Sequence, residues 1–285
     1  MKIRITTDSA ADISQDLCEK YNIIVIPLYV IIDGVSYKDR FEITVDQLFA
    51  AMERNGPFPT TSAISEHDFA KLFSSLSDGE TEIIHLSISS MISACYRNAL
   101  NAARNFPNVH VIDSKLISSG ITMLAIRAAE MIEEGMDVNA ICEELERLII
   151  RTDLSLVLDT LKAVRKGGRV STLQALGAEL FQFKPMIVMK NGEFDVTRKY
   201  RGKSEKTHKE YITSWLKDRT DIDLSRIILA HNFRNPARIE PCKELVQSLQ
   251  PFQEMLIQEV GCTISCHGGP DAFGMIFFQK PAESI

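Results

Sequence analysis

The chain has 285 residues, of which 45% are hydrophobic and 25% are charged, and its formal net charge is −6. This composition is typical of a globular protein, and the length predicts one large domain or two of ordinary size. The negative charge disfavours a nucleic-acid-binding protein, because such proteins displace phosphate counterions with a basic surface.

The sequence gives no indication of a signal peptide or of a transmembrane segment. The N-terminal stretch MKIRITTDSA has no apolar segment of the kind found in signal peptides. No apolar run approaches the roughly 18 residues that span a bilayer. The sequence therefore predicts a cytoplasmic protein without a transmembrane segment, and its six cysteines are expected to be free thiols.

The first half of the chain alternates β-branched runs with helical stretches. This alternation predicts βα units and a largely parallel sheet. The predicted elements, in chain order, are a strand at 2–7, a helix at 13–21, an apolar run at 23–32, a helix at 44–55 capped by Thr44, a helix from Ser65, a strand at 82–89, a long helix from about Ser93, a strand at 108–114, a helix that stops at Gly135, and a helix at 138–152.

The rhythm changes after about residue 152. Asn191-Gly192 lies between two strand-like runs, which is a strong hairpin signal. Strands are predicted at RIILAHNF, MLIQEV, CTISCHG and GMIFFQ, and helices at 206–217 and 236–248. The second half is therefore predicted to be α+β with a mixed or antiparallel sheet. We expect two domains, residues 1–160 and 161–285.

Two apparent motifs fail on closer inspection. Gly202-Lys203-Ser204 resembles the end of a phosphate-binding loop, but the glycine required five positions before Gly202 is Thr197. Cys262, Cys266 and His267 suggest a metal site, but a strand would place the two cysteines on one face and the histidine on the other. Core cysteines are the favoured interpretation, and no metal, cofactor or catalytic residue is predicted.

Hydroxyl-rich segments lie at four positions interpreted as strand-to-helix junctions: TTDSA at 6–10, PTTSAIS at 59–65, SISSMIS at 87–93 and DSKLISSG at 113–120. In a parallel sheet the junctions after strands gather along one edge, where open α/β folds bind ligands. Serine and threonine also cap helices, so each segment alone has a structural explanation. Hydroxyls beside the helix that begins near Ser93 suit a small anionic head such as a carboxylate.

Several segments occur in an order that resembles the DegV family of bacterial fatty-acid-binding proteins. They are ITTDSAADI, PTTS, SSMIS, VIDS, KGGRVS, KP and VGCTISCHGGPDAFG, and they extend over essentially the whole chain. The resemblance implies two α/β domains with a lipid between them. It implies one long-chain fatty acid in an apolar tunnel, with its carboxylate at the inter-domain end.

The resemblance also assigns residues. It implies that Thr61, with its neighbour Ser62, and Ser93 hold the carboxylate, together with the backbone amide of Ile92. His267, in a motif that includes Gly269, is implied to lie near the head group. The sequence departs from the family at Ala94, where glycine is usual, so we expect a slightly tighter or shifted head-group pocket.

The family also implies a partner. Many members are the acyl-carrying, non-catalytic subunit of a fatty-acid kinase, whose ATP-dependent subunit phosphorylates the bound carboxylate. The basic segment RKGGR is implied to dock that kinase, with its last residue, Arg169, central to the docking surface, and Arg201 in RKYRGK lies in a second basic run. A solvated turn is the alternative interpretation of RKGGR. Transient contact with a membrane surface is compatible with this function.

Two other functions stay open. A serine hydrolase would use Ser9, Ser93 or Ser114, since Asp8-Ser9 and Asp113-Ser114 place acid beside hydroxyl, although no GxSxG elbow is present. A sugar- or ketone-binding module on the same hydroxyl-rich edge would use His267 as its anchor.

Overall fold

The computed structural model describes residues 2–168 and 183–281, which form two lobes built on separate sheets. The described strands are β1 (Lys2–Asp8), β2 (Ile23–Ile26), β3 (Tyr29–Ile32), β4 (Val35–Lys38), β5 (Thr60–Ser62), β6 (Thr81–Ser87), β7 (Val109–Asp113), β8 (Thr152–Val157), β9 (Lys184–Lys190), β10 (Glu193–Tyr200), β11 (Ile222–His231), β12 (Glu254–Glu259) and β13 (Phe273–Gln279).

Helices connect and cover these strands. They are α1 (Gln15–Tyr21), α2 (Val45–Glu53), α3 (Glu66–Leu76), α4 (Cys95–Ala103), α5 (Ser119–Glu133), α6 (Val138–Arg151), α7 (Lys162–Lys166), α8 (Ser204–Leu216), α9 (Ile239–Leu249) and α10 (Cys262–Gly268). Among the residues described, no helix is both long and apolar enough to cross a membrane.

The first lobe contains a parallel sheet in the order β2-β1-β6-β7. Ser87 pairs with Asp113, and Thr7 pairs with Leu86, so the ends of β1, β6 and β7 lie side by side. This confirms that three of the hydroxyl-rich junctions meet at one edge. The fourth differs, because Thr61 belongs to β5 in a separate antiparallel sheet of order β4-β3-β5.

The second lobe contains a sheet in the order β10-β9-β8-β13-β11-β12, antiparallel except for the pair β11 and β12. The predicted fold class is therefore confirmed. The predicted hairpin is present, since Asn191 and Gly192 have φ of 51° and 87° and connect β9 to β10. Strand β8 pairs within this sheet although it precedes the predicted boundary near residue 160, and that boundary stays a prediction.

One hydrophobic core joins the two lobes. Ile228 and Ile276 of the second sheet belong to the same buried cluster as Ile5 and Ile84 of the first. Helix α5 runs through this cluster and is buried along most of its length, as a helix between two sheets must be. Helices α8 and α9 cover the opposite face of the second sheet.

The two helix caps predicted from the sequence, Thr44 and Ser65, are present in the structure. Thr44 accepts a hydrogen bond from the N–H of Gln47 in a capping box at the start of α2. The Ser65 hydroxyl accepts from the N–H of Asp68 at the start of α3. Both helices therefore begin where the sequence predicts.

The predicted strand at CTISCHG was wrong, because these residues form helix α10. The β-branched and cysteine-rich composition favours a strand locally. Two acidic side chains far away in the sequence instead accept the N–H groups at the start of α10: Asp12 Oδ1 is 2.8 Å from Gly261 N, and Asp39 Oδ1 is 2.9 Å from Cys262 N. The opposite-face argument against a metal site, which assumed a strand, therefore no longer applies.

Candidate functional site

A cavity of about 250 Å³ lies between the lobes. Its described wall is mostly apolar and includes Leu28, Ile92, Leu156, Phe194 and Ile276. No aspartate, glutamate, lysine or arginine is among the described residues of this wall. Such a cavity suits a long apolar ligand that carries few polar groups.

Thr61 and His267 meet at the cavity wall, one from each half of the chain. Thr61 Oγ1 lies 2.8 Å from His267 Nε2. Strand alternation in β5 turns Thr61 inward and leaves Thr60 and Ser62 exposed. Ser62 is not part of the described cavity wall, and its hydroxyl donates to Ala63 O at 3.3 Å.

Ser93 and Ile92 both line the cavity. The long helix begins at Cys95 and not at Ser93, and the Ser93 hydroxyl accepts the Cys95 N–H at 3.2 Å. Burial raises the pKa of the Cys95 thiol against the lowering effect of a side-chain hydrogen bond from Ser93, so this hydroxyl also bonds within its own turn. The Ile92 N–H donates to Ser89 O at 3.1 Å, so Ile92 contributes to the wall through its side chain and its amide is engaged within the turn.

The basic glycine segment lies directly against the imidazole. A Cβ built on Gly167 would overlap Nδ1 of His267, so only glycine allows α7 to approach so closely. Lys166 of α7 lies over the ring of Phe58, with its ammonium 5.1 Å from the ring centre. Gly167 therefore borders the site, while Arg165, Lys166 and Gly168 are exposed, and both interpretations of RKGGR stay open.

The other predicted residues have varied positions. Gly269 follows α10 and its carbonyl accepts from Asn232 Nδ2 at 2.7 Å, behind the cavity wall. Arg201 is exposed, and its guanidinium lies 4.7 Å from the ring centre of Phe183. Arg169 lies outside the described residues.

Most hydroxyls at the sheet edge are engaged within the protein. Ser87 donates to Asp8 Oδ2 at 3.2 Å, and Ser9 donates to Asp39 Oδ2 at 2.9 Å. Burial raises the pKa of Asp8 to about 7, against the lowering effect of its contacts with the Ile88 N–H and Ser87. These hydroxyls therefore stabilise buried carboxyl groups and do not line an open site.

The geometry gives a hydrolase or a metal site little support. The imidazole of His267 bonds to Thr61, while Ser9 bonds to Asp39 and Ser114 bonds within its own turn. Cys262 Sγ contacts Ile43 O at 3.6 Å, and burial raises the pKa of its thiol. Within residues 2–168 and 183–281, no group of three or more potential ligands is placed to hold a metal ion.

Sequence reasoning missed four residues that shape the site: Gly167, Thr263, Asp12 and Asp39. Gly167 was visible as part of a glycine pair, but its contact with His267 spans a hundred residues of sequence. Asp12 belongs to the segment ITTDSAADI and Asp39 to no motif, but neither position indicates a contact with a helix more than two hundred residues away. Thr263 was obscured by the wrong strand prediction.

Comparison with known proteins identifies one family over nearly the whole chain. The model of a family described as uncharacterised protein, DegV family, matches residues 2–280. The chain is 32% identical over 284 residues to a DegV domain-containing protein of Caldanaerobacter subterraneus subsp. tengcongensis, covering 98% of this chain and 99% of the relative.

Solved structures are also similar over their whole length. A DegV family protein from Thermus thermophilus, reported for its fatty acid binding, is 32% identical with a TM-score of 0.88, covering 98% of this chain and all of that one. A DegV lipid-binding protein from Thermotoga maritima is 27% identical with a TM-score of 0.86, covering 98% and 99% of the two chains. The cavity between two lobes, the Thr61–His267 contact and these full-length matches together show that the chain belongs to the DegV family.

Proposed function

We propose that this protein binds one long-chain fatty acid, with its carboxylate at Thr61, Ser93 and His267. The acyl chain would extend along the apolar wall between the lobes. Ile92 lines the start of this path, and Gly269 ends the helix that carries His267. The observation that carries the proposal is an apolar inter-lobe cavity that meets a threonine–histidine pair at its wall.

The affinity would come mainly from the acyl chain. Burying a CH₂ group contributes about 0.8 kcal/mol, so roughly 15 of them contribute on the order of 12 kcal/mol before the cost of association. The apolar wall supplies the surface for this burial, while the hydroxyls and the imidazole fix the orientation of the head group.

The head-group site would hold a carboxylate without a matching cationic pair. The hydroxyl of Ser93 would rotate away from its own turn to donate to the carboxylate, and Thr61 and His267 share a hydrogen bond that a carboxylate oxygen would join. Hydroxyl donors orient a carboxylate and leave its oxygens nucleophilic, whereas a bidentate arginine would engage both. This difference matters if the oxygen is later phosphorylated.

The bound ligand gives the direct test. The protein is purified, denatured and extracted, and the extract is analysed by mass spectrometry. We expect fatty acid at close to one molecule per chain. A clean extract, together with no increase in melting temperature when fatty acids are added, would refute the proposal. An extracted sugar or keto compound would instead support the alternative binding module.

We further propose that the protein is the non-catalytic, cytoplasmic subunit of a fatty-acid kinase and contacts the membrane surface only transiently. A separate ATP-dependent subunit would phosphorylate the exposed carboxylate oxygen, which needs a fixed, in-line nucleophile. The basic residues Arg165, Lys166 and Arg169 with Arg201 form the proposed docking surface. The contact between Gly167 and His267 would place that surface beside the reacting group.

Arg169→Ala separates docking from lipid binding. We expect unchanged fatty-acid affinity and loss of acyl-phosphate formation when the variant is mixed with a cognate kinase subunit and ATP. Arg201→Ala tests the second basic run, and Arg104→Ala, at an exposed site on the end of α4, is the control. Loss of fatty-acid binding in Arg169→Ala would contradict the assignment of this residue to docking.

A further inference from the structure

The cavity wall includes a buried hydroxyl for which the described protein supplies no partner. Thr263 lies on α10 and lines the cavity. Its residue is only 3% exposed, and Oγ1 has no hydrogen-bond partner among the described residues. A buried hydroxyl without a partner is costly, so this position calls for a polar group from elsewhere.

The other described polar side chains of the wall differ in this respect. Each has a hydrogen bond within the protein: Thr61 with His267, Ser93 with the Cys95 N–H, Ser118 with Asp12, Ser155 with Tyr211, and Asn232 with Ser265 and Gly269. Thr263 is therefore distinct among the described polar side chains of this wall, because its hydroxyl neither donates nor accepts a hydrogen bond within the described protein.

The Thr263 hydroxyl also makes no hydrogen bond to a backbone carbonyl nearby in the sequence. A threonine within a helix commonly donates to the carbonyl one turn earlier. Thr263 makes no such bond, because it lies in the first turn of α10 and the residue four positions earlier, Glu259, belongs to β12. The helix therefore offers its buried hydroxyl no carbonyl, and the cavity is the side from which a partner can come.

We propose that Thr263 binds an oxygen substituent on the acyl chain, so that the preferred ligand is a hydroxy or keto fatty acid. This inference rests on the proposed fatty-acid binding. Thr263 precedes His267 by four residues, which is about 6 Å along a helix axis. With the carboxylate at His267, the substituent belongs to the carboxyl-proximal part of the chain and not to its methyl end.

Competition binding with delipidated full-length protein tests the proposal. The probes are hexadecanoate and its β-, δ- and ω-hydroxy derivatives. We expect the β- or δ-hydroxy acid to bind about 3- to 10-fold more tightly than hexadecanoate, as one neutral hydrogen bond allows, and the ω-hydroxy acid to gain nothing. Thr263→Val, which keeps the side-chain shape, should abolish the preference, and Thr263→Ser should retain it.

Each outcome of the competition experiment either supports or overturns the role proposed for Thr263. Retained binding of hexadecanoate by Thr263→Val shows that the variant folds, and loss of the preference in that variant alone supports the proposal. If the parent protein binds all four acids equally, or if the valine variant keeps the preference, the hydroxyl serves a buried water and the inference is overturned while fatty-acid binding stands. If the folded parent binds none of the acids, the proposed function itself fails.

Discussion

Replacing Thr61 by valine is expected to weaken the binding of hexadecanoate by about 10- to 100-fold. A hydrogen bond to a charged group contributes roughly 1.5 to 3 kcal/mol, and each 1.4 kcal/mol is a factor of ten in affinity. Valine keeps the branched shape and suits a strand, so β5 and its pairing with β3 should persist. The variant therefore removes the hydroxyl and little else.

The experiment compares delipidated variants by isothermal titration with hexadecanoate. Thr60→Val is the matched control, because Thr60 lies on the same strand with its side chain exposed, and its affinity should equal that of the parent protein. An unchanged affinity in Thr61→Val, with its melting temperature preserved, would place the carboxylate elsewhere.

A double-mutant cycle with His267 sharpens this result. Thr61 Oγ1 and His267 Nε2 lie 2.8 Å apart, so the two side chains should act on the ligand as one unit. We expect Thr61→Val and His267→Asn together to cost clearly less than the sum of the two single losses. Additive losses would show that the two residues contact the ligand independently.

The sequence predicted which two residues form the centre of the site, Thr61 and His267, but not the secondary structure that carries them. Thr61 and His267 were found through ordered motifs, and both line the cavity at hydrogen-bond distance. Their supporting elements were wrongly predicted: β5 lies in a small antiparallel sheet, and the histidine lies on a helix. Motif order reports which residues matter, whereas short β-branched runs do not determine which sheet or helix they join.

The hydroxyl clusters show a second limit of sequence reasoning. Their gathering at one sheet edge followed from the parallel topology and was confirmed for β1, β6 and β7. The role of each hydroxyl could not be predicted from this topology. A serine that faces a ligand and a serine that stabilises a buried carboxyl group look alike in sequence. Ser93 lines the cavity, whereas Ser87 and Ser9 bond to Asp8 and Asp39.

Asp39→Ala is expected to lower the free energy of unfolding by about 4 kcal/mol. Asp39 is fully buried and accepts two hydrogen bonds, from the Ser9 hydroxyl and from the Cys262 N–H at the start of α10. Alanine would leave both donors buried, and each unsatisfied buried group costs about 1 to 3 kcal/mol. Because α10 carries His267, we also expect weaker fatty-acid binding by the fraction that stays folded.

Urea unfolding of the parent, Asp39→Ala, Asp39→Asn and Asp46→Ala would measure these losses. Asparagine keeps one oxygen for the Cys262 N–H, so its loss should be smaller than that of alanine. Asp46 is an exposed acid in the first turn of α2, and its removal should change stability by less than about 1 kcal/mol. Equal stabilities for Asp39→Ala and Asp46→Ala would mean that water replaces the carboxyl group, and that the first lobe does not fix the helix bearing His267 through this contact.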